Sequence, residues 1–171
     1  NATVEAHEVP SASVVLAQLE VPVAAIERAF TAARAAGATT VLNPAPAAPL
    51  PDSLLALCDV LTPNEHEVEL LGGVGRLMAL GARAVIVTLG ARGAELHTAE
   101  GVTHVDPFPV APVDTTGAGD CFSGSLCARL AAGDDLATAM RFASAAAALS
   151  TTAAGAVPSM PHASDVRAAL G

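Results

Sequence analysis

Between Val113 and Gly124 the chain reads Val-Asp-Thr-Thr-Gly-Ala-Gly-Asp-Cys-Phe-Ser-Gly, and here its residue types come nearest to chemistry. Three small residues, Gly117, Ala118 and Gly119, stand directly before an acid, Asp120. Beyond the acid, Phe122, Leu126 and Leu130 recur at helical spacing, which predicts a loop feeding a helix N-terminus. Small residues let a backbone come close to a ligand. The first amides of a helix have no internal partner and carry partial positive charge. The amides of Gly117, Ala118 and Gly119 are therefore candidates to hold an anion. Asp120 would repel a phosphate, so its place there suits a base that takes a proton from an attacking hydroxyl. The competing reading makes Asp114 or Asp120 a helix cap and the glycines a turn.

The elements that would position these residues alternate in type. Strands are expected over Ser13–Leu19 (buried), Thr39–Leu42, Asp59–Leu61, Ala84–Thr88, Ala94–His97 and, as a short edge strand, Val102–Val105. Helices are expected from Pro22 to Ala36, Ser53 to Leu57, Gly119 to Ala132, Leu136 to Ser150 and Ser164 to Leu170. Between Leu70 and Leu80, the run Gly72-Gly73-Val74-Gly75 interrupts a helix, where each glycine costs about 1 kcal/mol relative to alanine. That run does not match a dinucleotide fingerprint and follows no strand. Alternating strands and helices imply an α/β fold with a parallel sheet and helices on both faces. Ligands in such sheets sit at the carboxyl ends of strands. Glu20, Asn43, Asn64 and the loop after Leu89 all fall at such ends.

Thr62-Pro63-Asn64-Glu65-His66-Glu67 follows the third strand. Asn64 and Glu67 share one face of the first helical turn, so a capping pair is one reading. Leu89-Gly90-Ala91-Arg92-Gly93 after Thr88 would equally suit a plain hairpin turn.

Composition narrows the field. The chain has 171 residues, enough for one domain with a core. Its net charge of −9 argues against a nucleic-acid partner. It contains no lysine, which removes a P-loop lysine, a protein-kinase strand lysine and a Schiff base. With no tryptophan or tyrosine, base stacking on aromatics is not expected. No apolar run is long enough for a bilayer, so no membrane partner is expected. Cys58, Cys121 and Cys127 have no metal-ligand or redox spacing, and they read as apolar filler in a cytoplasmic protein.

Asp114-Thr115-Thr116-Gly117-Ala118-Gly119-Asp120 resembles the C-terminal signature of the PfkB carbohydrate kinases, the ribokinase branch in particular. Asn64-x-x-Glu67 resembles that family's second motif, and Thr88-Leu89-Gly90-x-x-Gly93 its turn against the nucleotide. The resemblance implies a ribokinase-like three-layer α/β fold with a mostly parallel sheet, formed by residues 1–171 as one domain. It covers the family's C-terminal portion only, so the sugar-contacting N-terminal portion and the small β lid are expected to be absent. A sheet that begins there should expose an apolar edge unless covered.

The resemblance also implies roles. Asp120 is the catalytic base and also lies on the substrate. Gly117, Ala118 and Gly119 form the anion hole, and Glu20 is a sugar contact. ATP is implied at Asn64, Thr88, Leu89, Gly90, Ala91, Arg92, Gly93, Gly119 and Ser144, the last standing where the family commonly has Asn. Glu67 would govern Mg2+ through water. Asp114, Thr116, Ser150, Ala153, Gly155 and Ser159 would surround a monovalent cation, K+. The implied activity is transfer of the ATP γ-phosphoryl group to the primary hydroxyl of a sugar, D-ribose first. The alternatives are a nucleotide-binding remnant without catalysis and a PfkB kinase for fructose, a nucleoside or a sugar phosphate. The implied partners are the sugar and ATP, with a homodimer as the candidate assembly.

Overall fold

The computed structural model describes residues 11–171. In chain order the elements are β1 (Val14–Gln18), α1 (Val23–Ala35), β2 (Thr39–Asn43), α2 (Asp52–Leu55), β3 (Val60–Leu61), α3 (Glu65–Leu70), α4 (Val74–Ala79) and β4 (Ala84–Thr88). A 3-10 turn at Gly90–Arg92 leads to β5 (Ala94–Thr98) and β6 (Gly101–Val105), then α5 (Ala118–Ala131), α6 (Leu136–Ser150) and α7 (Ala163–Leu170). The described residues divide into two compact units. The first runs to Thr88 and includes Glu95–Val102, and the second holds Leu89–Ala94 and Thr103–Gly171.

The six strands lie in one sheet in the order β1-β2-β3-β4-β5-β6. β1 to β4 are parallel, with Val14 opposite Thr39, Val41 opposite Val60 and Val60 opposite Ala84. β2, β3 and most of β4 are buried, as expected for parallel strands rich in Val, Leu and Ile. Phe30, Ile26, Leu42, Leu54, Leu55, Leu61, Leu77 and Ile86 are almost wholly enclosed in the first unit. β1 departs from the buried strand expected over Ser13–Leu19. Among the described residues it stands at the sheet edge, only half-buried, and Leu16 is 37% exposed. An edge strand has a neighbour on one side only, so its apolar residues are only partly covered.

The glycine-rich run also differs from the expectation of one interrupted helix. Two short helices form, α3 and α4. Gly73 N–H donates to Val68 O at 2.8 Å and Gly72 N–H to Glu69 O at 3.0 Å, the paired bonds of a Schellman closure. Gly72 and Gly73 both have positive φ, at 89° and 86°. They terminate α3 rather than weakening a helix interior, and the helix penalty falls on Gly75 alone.

At the amino ends of β2 and β3 an acid ties the sheet together. Asp59 Oδ2 accepts from Thr40 N at 2.9 Å and from Thr40 Oγ1 at 3.0 Å. Arg34 and Arg83 approach Asp59 Oδ1 at 3.4 and 3.5 Å.

In the second unit, Cys121, Ala145, Ala146 and Val166 pack together with Phe108, Phe142, Leu149 and Leu170. The small residues of α6 allow α5 and α6 to pack closely. Burial raises the Cys121 thiol and pushes Cys127 up to about 12. In the first unit burial pushes Cys58 to about 12 as well. These thiols stay protonated near neutrality, as suits the apolar filler read from their spacing.

Candidate functional site

The carboxyl ends of the parallel strands collect one group of the expected residues in the first unit. Gln18 pairs in register with Asn43, and Asn64 forms a parallel bridge with Thr88. These four residues therefore end neighbouring strands at the same edge of the sheet. Glu20 lies two residues past β1 and is exposed. Asn43 is 5% exposed, so it is built into the sheet end rather than displayed. Pro63 breaks the strand, and its carbonyl accepts from Thr88 N–H at 2.9 Å, which fixes where α3 begins.

Asn64 and Glu67 form the complete capping box that their spacing allows. Asn64 Oδ1 accepts from Glu67 N–H at 2.9 Å, and Glu67 Oε2 accepts from Asn64 N–H at 2.8 Å. This does not displace the metal role that the family resemblance gives Glu67. The box uses Oε2, and the carboxylate is held rigidly with 6% exposure at a strand end. Among the described residues no group of three or more His, Cys, Asp or Glu could hold a metal ion. Magnesium commonly keeps several waters and binds through one or two carboxylates plus substrate phosphates, so a single ordered carboxylate fits it.

The second unit holds the loop and helix around Gly117 to Asp120. Gly117 adopts the left-handed conformation, φ 78° and ψ 3°, and α5 starts at Ala118. No side chain caps this helix, so neither Asp114 nor Asp120 serves as its N-cap. Asp120 lies exposed in the first turn. A Cβ built on Gly117 would stand 3.0 Å from Ala156 Cβ, so the loop and the 151–159 segment are in close contact. A Cβ on Gly119 would meet nothing within 4 Å, so the space beside this residue is open. Of the three amides read as an anion hole, Ala118 N–H donates to Thr115 O at 3.2 Å, so it is engaged within the loop, while the start of a helix remains the place where amides lack an intrahelical partner.

Asp114 is bound at both carboxylate oxygens. Oδ1 accepts from Thr116 N–H at 2.9 Å, and Oδ2 accepts from Gly155 N–H at 2.9 Å. The Gly155 amide, followed by the Thr116 hydroxyl and amide, holds the Asp114 carboxyl down to about 2. Val113 N–H and Asp114 N–H both donate to Thr151 O, at 2.7 and 3.0 Å. The same segment contains Ala153, Gly155 and Ser159 from the expected cation set, and Ser150 ends α6 just before it. Ser150 and Ser159 are buried, and their hydroxyls donate to Ala147 O and Ala156 O. The groups at the Asp114 carboxylate are the Thr116 and Gly155 amides; a carboxylate and nearby carbonyl and hydroxyl oxygens are the hard donors that a monovalent cation would take.

Leu89 to Gly93 form a tight turn closed by Leu89 N–H to Gly93 O at 2.8 Å. A Cβ on Gly93 would fall 2.0 Å from Val105 O, so only glycine fits there. Gly90, Ala91 and Arg92 are exposed on this turn, and Thr88 and Leu89 are half-buried. Ser144 lies on α6 with its Oγ enclosed and, among the described residues, without a hydrogen-bond partner. The Asp114–Gly155 bond joins residues 41 apart, and local motif reading gave no signal of it.

The first unit thus holds a parallel sheet with polar residues at its strand ends, and the second a glycine loop that opens a helix with an acid in its first turn, both features of α/β proteins. The model of the pfkB family carbohydrate kinases matches residues 2–163, and the chain belongs to that family. It is 42% identical over 164 residues to a ribokinase from Staphylococcus aureus, covering 88% of this chain and 54% of that protein. It is 34% identical over 169 residues to a deoxyribokinase from Salmonella typhi, covering 91% of this chain and 55% of the relative. The structure of Arabidopsis thaliana ribokinase complexed with ribose and ATP matches with a TM-score of 0.88 at 32% identity, over 92% of this chain and 55% of that one. The fold is thus ribokinase-like, and the chain spans about half the length of the relatives it matches.

Proposed function

We propose that the chain carries the nucleotide- and phosphate-holding part of an ATP-dependent sugar kinase whose acceptor is D-ribose. The observation that carries this reading is the start of α5, where Gly117 turns left-handed, Gly119 faces open space and Asp120 stands in the first turn. The Staphylococcus relative is a ribokinase, and the Arabidopsis structure holds ribose and ATP, which supports the choice of sugar and nucleotide.

In this reading Asp120 accepts the proton of the sugar's primary hydroxyl as its oxygen attacks the γ-phosphorus. The bond from that phosphorus to the β-phosphate oxygen breaks, and ADP leaves. The amides of Gly117, Ala118 and Gly119 stabilise the charge that gathers on the transferring group. The turn Leu89–Gly93, with Asn64, Thr88 and Ser144, holds the nucleotide, and Glu20 contacts the sugar. Glu67 would hold magnesium through water, and the ion would supply charge neutralisation at the phosphates. Asp114 and oxygens of Thr116, Ser150, Ala153, Gly155 and Ser159 would hold potassium. Magnesium-dependent binding of ATP, with ADP release that depends on D-ribose, tests the reading. ATP binding without release under any sugar favours a nucleotide-holding role alone. Release with deoxyribose, fructose or a nucleoside in place of ribose reassigns the acceptor.

The further expectations on assembly and place remain of the same kind. A homodimer and a cytoplasmic location belong to the proposal. Among the described residues no helix is long and apolar enough to cross a membrane.

A further inference from the structure

Asn43 closes β2 at the carboxyl edge of the sheet. In the register of the first three strands, Leu16 lies opposite Val41 and Val41 opposite Val60. Two residues further toward the carboxyl ends, Gln18 lies opposite Asn43. Thr62 N–H donates to Leu42 O at 3.0 Å, which continues the ladder and brings Thr62 level with Asn43. Residues two apart on a strand share a face, so an apolar row gives way on that face to a polar one, Gln18, Asn43 and Thr62. The polar row lies at the end of the sheet where ligands bind in such folds. Gln18 and Thr62 are both engaged. Asn43 is 5% exposed, and its carboxamide forms no hydrogen bond with another described residue. Burying an amide without a partner is costly, and most buried polar side chains are paired. The local turn does not call for this side chain either. Leu19 N–H donates to Ala45 O at 2.8 Å, so the backbone alone joins the loops after β1 and β2, and Glu20 follows directly on Leu19.

We infer that Asn43 is a further acceptor-binding residue, whose carboxamide pairs with a hydroxyl of the sugar held beside Glu20. The inference deepens the proposed function and rests on its reading of Glu20 as a sugar contact. A carboxamide carries a donor and an acceptor together, and so does a hydroxyl. A phosphate oxygen accepts only, and would leave Asn43 Oδ1 unmatched. The hydrogen bonds that Asn43 lacks in the free chain are then completed when the sugar arrives. A site that hydrogen-bonds a hydroxyl in this way discriminates against ligands that lack it.

The test is an NMR titration of the whole isotope-labelled chain with D-ribose and, separately, with magnesium-bound ADP, followed at the side-chain amides. The wild-type Asn43 Nδ2 signals should shift with ribose. Asn43→Leu keeps the branched shape and removes the polar atoms. It should weaken ribose about tenfold and leave magnesium-bound ADP within about twofold. Its midpoint in urea should equal or exceed that of the wild type, because a buried polar group without a partner is gone. A merely structural asparagine would do the reverse, with a lowered midpoint and an unchanged ribose affinity, and that result would overturn the inference. Loss of ADP affinity with ribose affinity kept would overturn it too, since Asn43 would then serve the nucleotide. Where Asn43→Leu does not fold, the wild-type titration decides. Ribose that binds and shifts Gln18 while Asn43 stays unmoved would refute the inference and leave the kinase reading intact. Ribose that fails to bind a chain that binds ADP would refute it as well. Failure of the wild type to bind either ligand would defeat the kinase reading itself, and the inference with it.

Discussion

Gly119→Ala separates a structural glycine from a functional one. Gly119 is the second residue of α5, and a Cβ there meets nothing within 4 Å. It is not among the glycines with positive φ, so alanine adopts its backbone without strain. Replacing glycine by alanine in a helix gains up to about 1 kcal/mol, from propensity and from a less free unfolded chain. For a domain of this size that raises Tm by about 2–4 °C. Cα–Cβ bonds on a helix tilt toward its N-terminus, so the new methyl leans toward the space over the first-turn amides. A phosphate that approaches those amides closely is pushed off them. Loss of one preorganised oxyanion donor costs about 100-fold or more in turnover, so ribose-dependent ADP release should fall by about that factor. The assays are thermal unfolding by circular dichroism and ADP release on the same preparations. A variant that is stabilised and fully active would refute the reasoning, since the open space would then not be ligand space. A destabilised variant would refute the packing on which it rests.

Three further outcomes follow from the geometry. Gly93→Ala places a methyl 2.0 Å from Val105 O at a φ of 89°, and should cost at least about 2–3 kcal/mol, read as a shifted denaturant midpoint. Asp59→Ala leaves Thr40 N–H, in a residue with no exposure, without its carboxylate acceptor, and should cost about 1–3 kcal/mol in urea unfolding. Asp114 has a carboxyl lowered from its ordinary 3.8 to about 2 by the Gly155 and Thr116 bonds. A lowered carboxyl contributes stability that is complete above the unfolded value and lost as pH falls through the folded one. The wild type should therefore lose more stability than Asp114→Asn between about pH 4 and pH 2, measured by acid titration of the two melting curves.

Most of the elements were legible because their signals are local. Val-Val-Leu, Thr-Val-Leu and Ala-Val-Ile-Val mark strands on their own, and α6 occupies the expected Leu136–Ser150. The strand-end location of Asn43 and Asn64 followed from alternation alone, and the register bears it out. What was not legible depends on partners far along the chain. Asp114 was open to a capping role until Gly155, 41 residues on, proved to be its partner. Gly93 looked like any turn glycine, and only the approach of Val105 O shows why a side chain cannot stand there. The half-exposed face of β1 could not be read from its apolar residues, because burial is set by neighbouring strands rather than by composition. Gly72 and Gly73 were read as a cost to a helix, whereas their positive φ ends one helix before the next begins.

The central claim is that Asp120 acts on the acceptor hydroxyl while the amides beside it hold phosphate. The most direct test compares ribose-dependent ADP release with magnesium-ATP affinity in the wild type and in Asp120→Asn. Loss of a general base should lower transfer by about 100- to 10,000-fold. ATP affinity should hold or improve, because a like charge beside the bound anion is gone. Undiminished transfer by Asp120→Asn, or loss of binding in step with transfer, would contradict the claim.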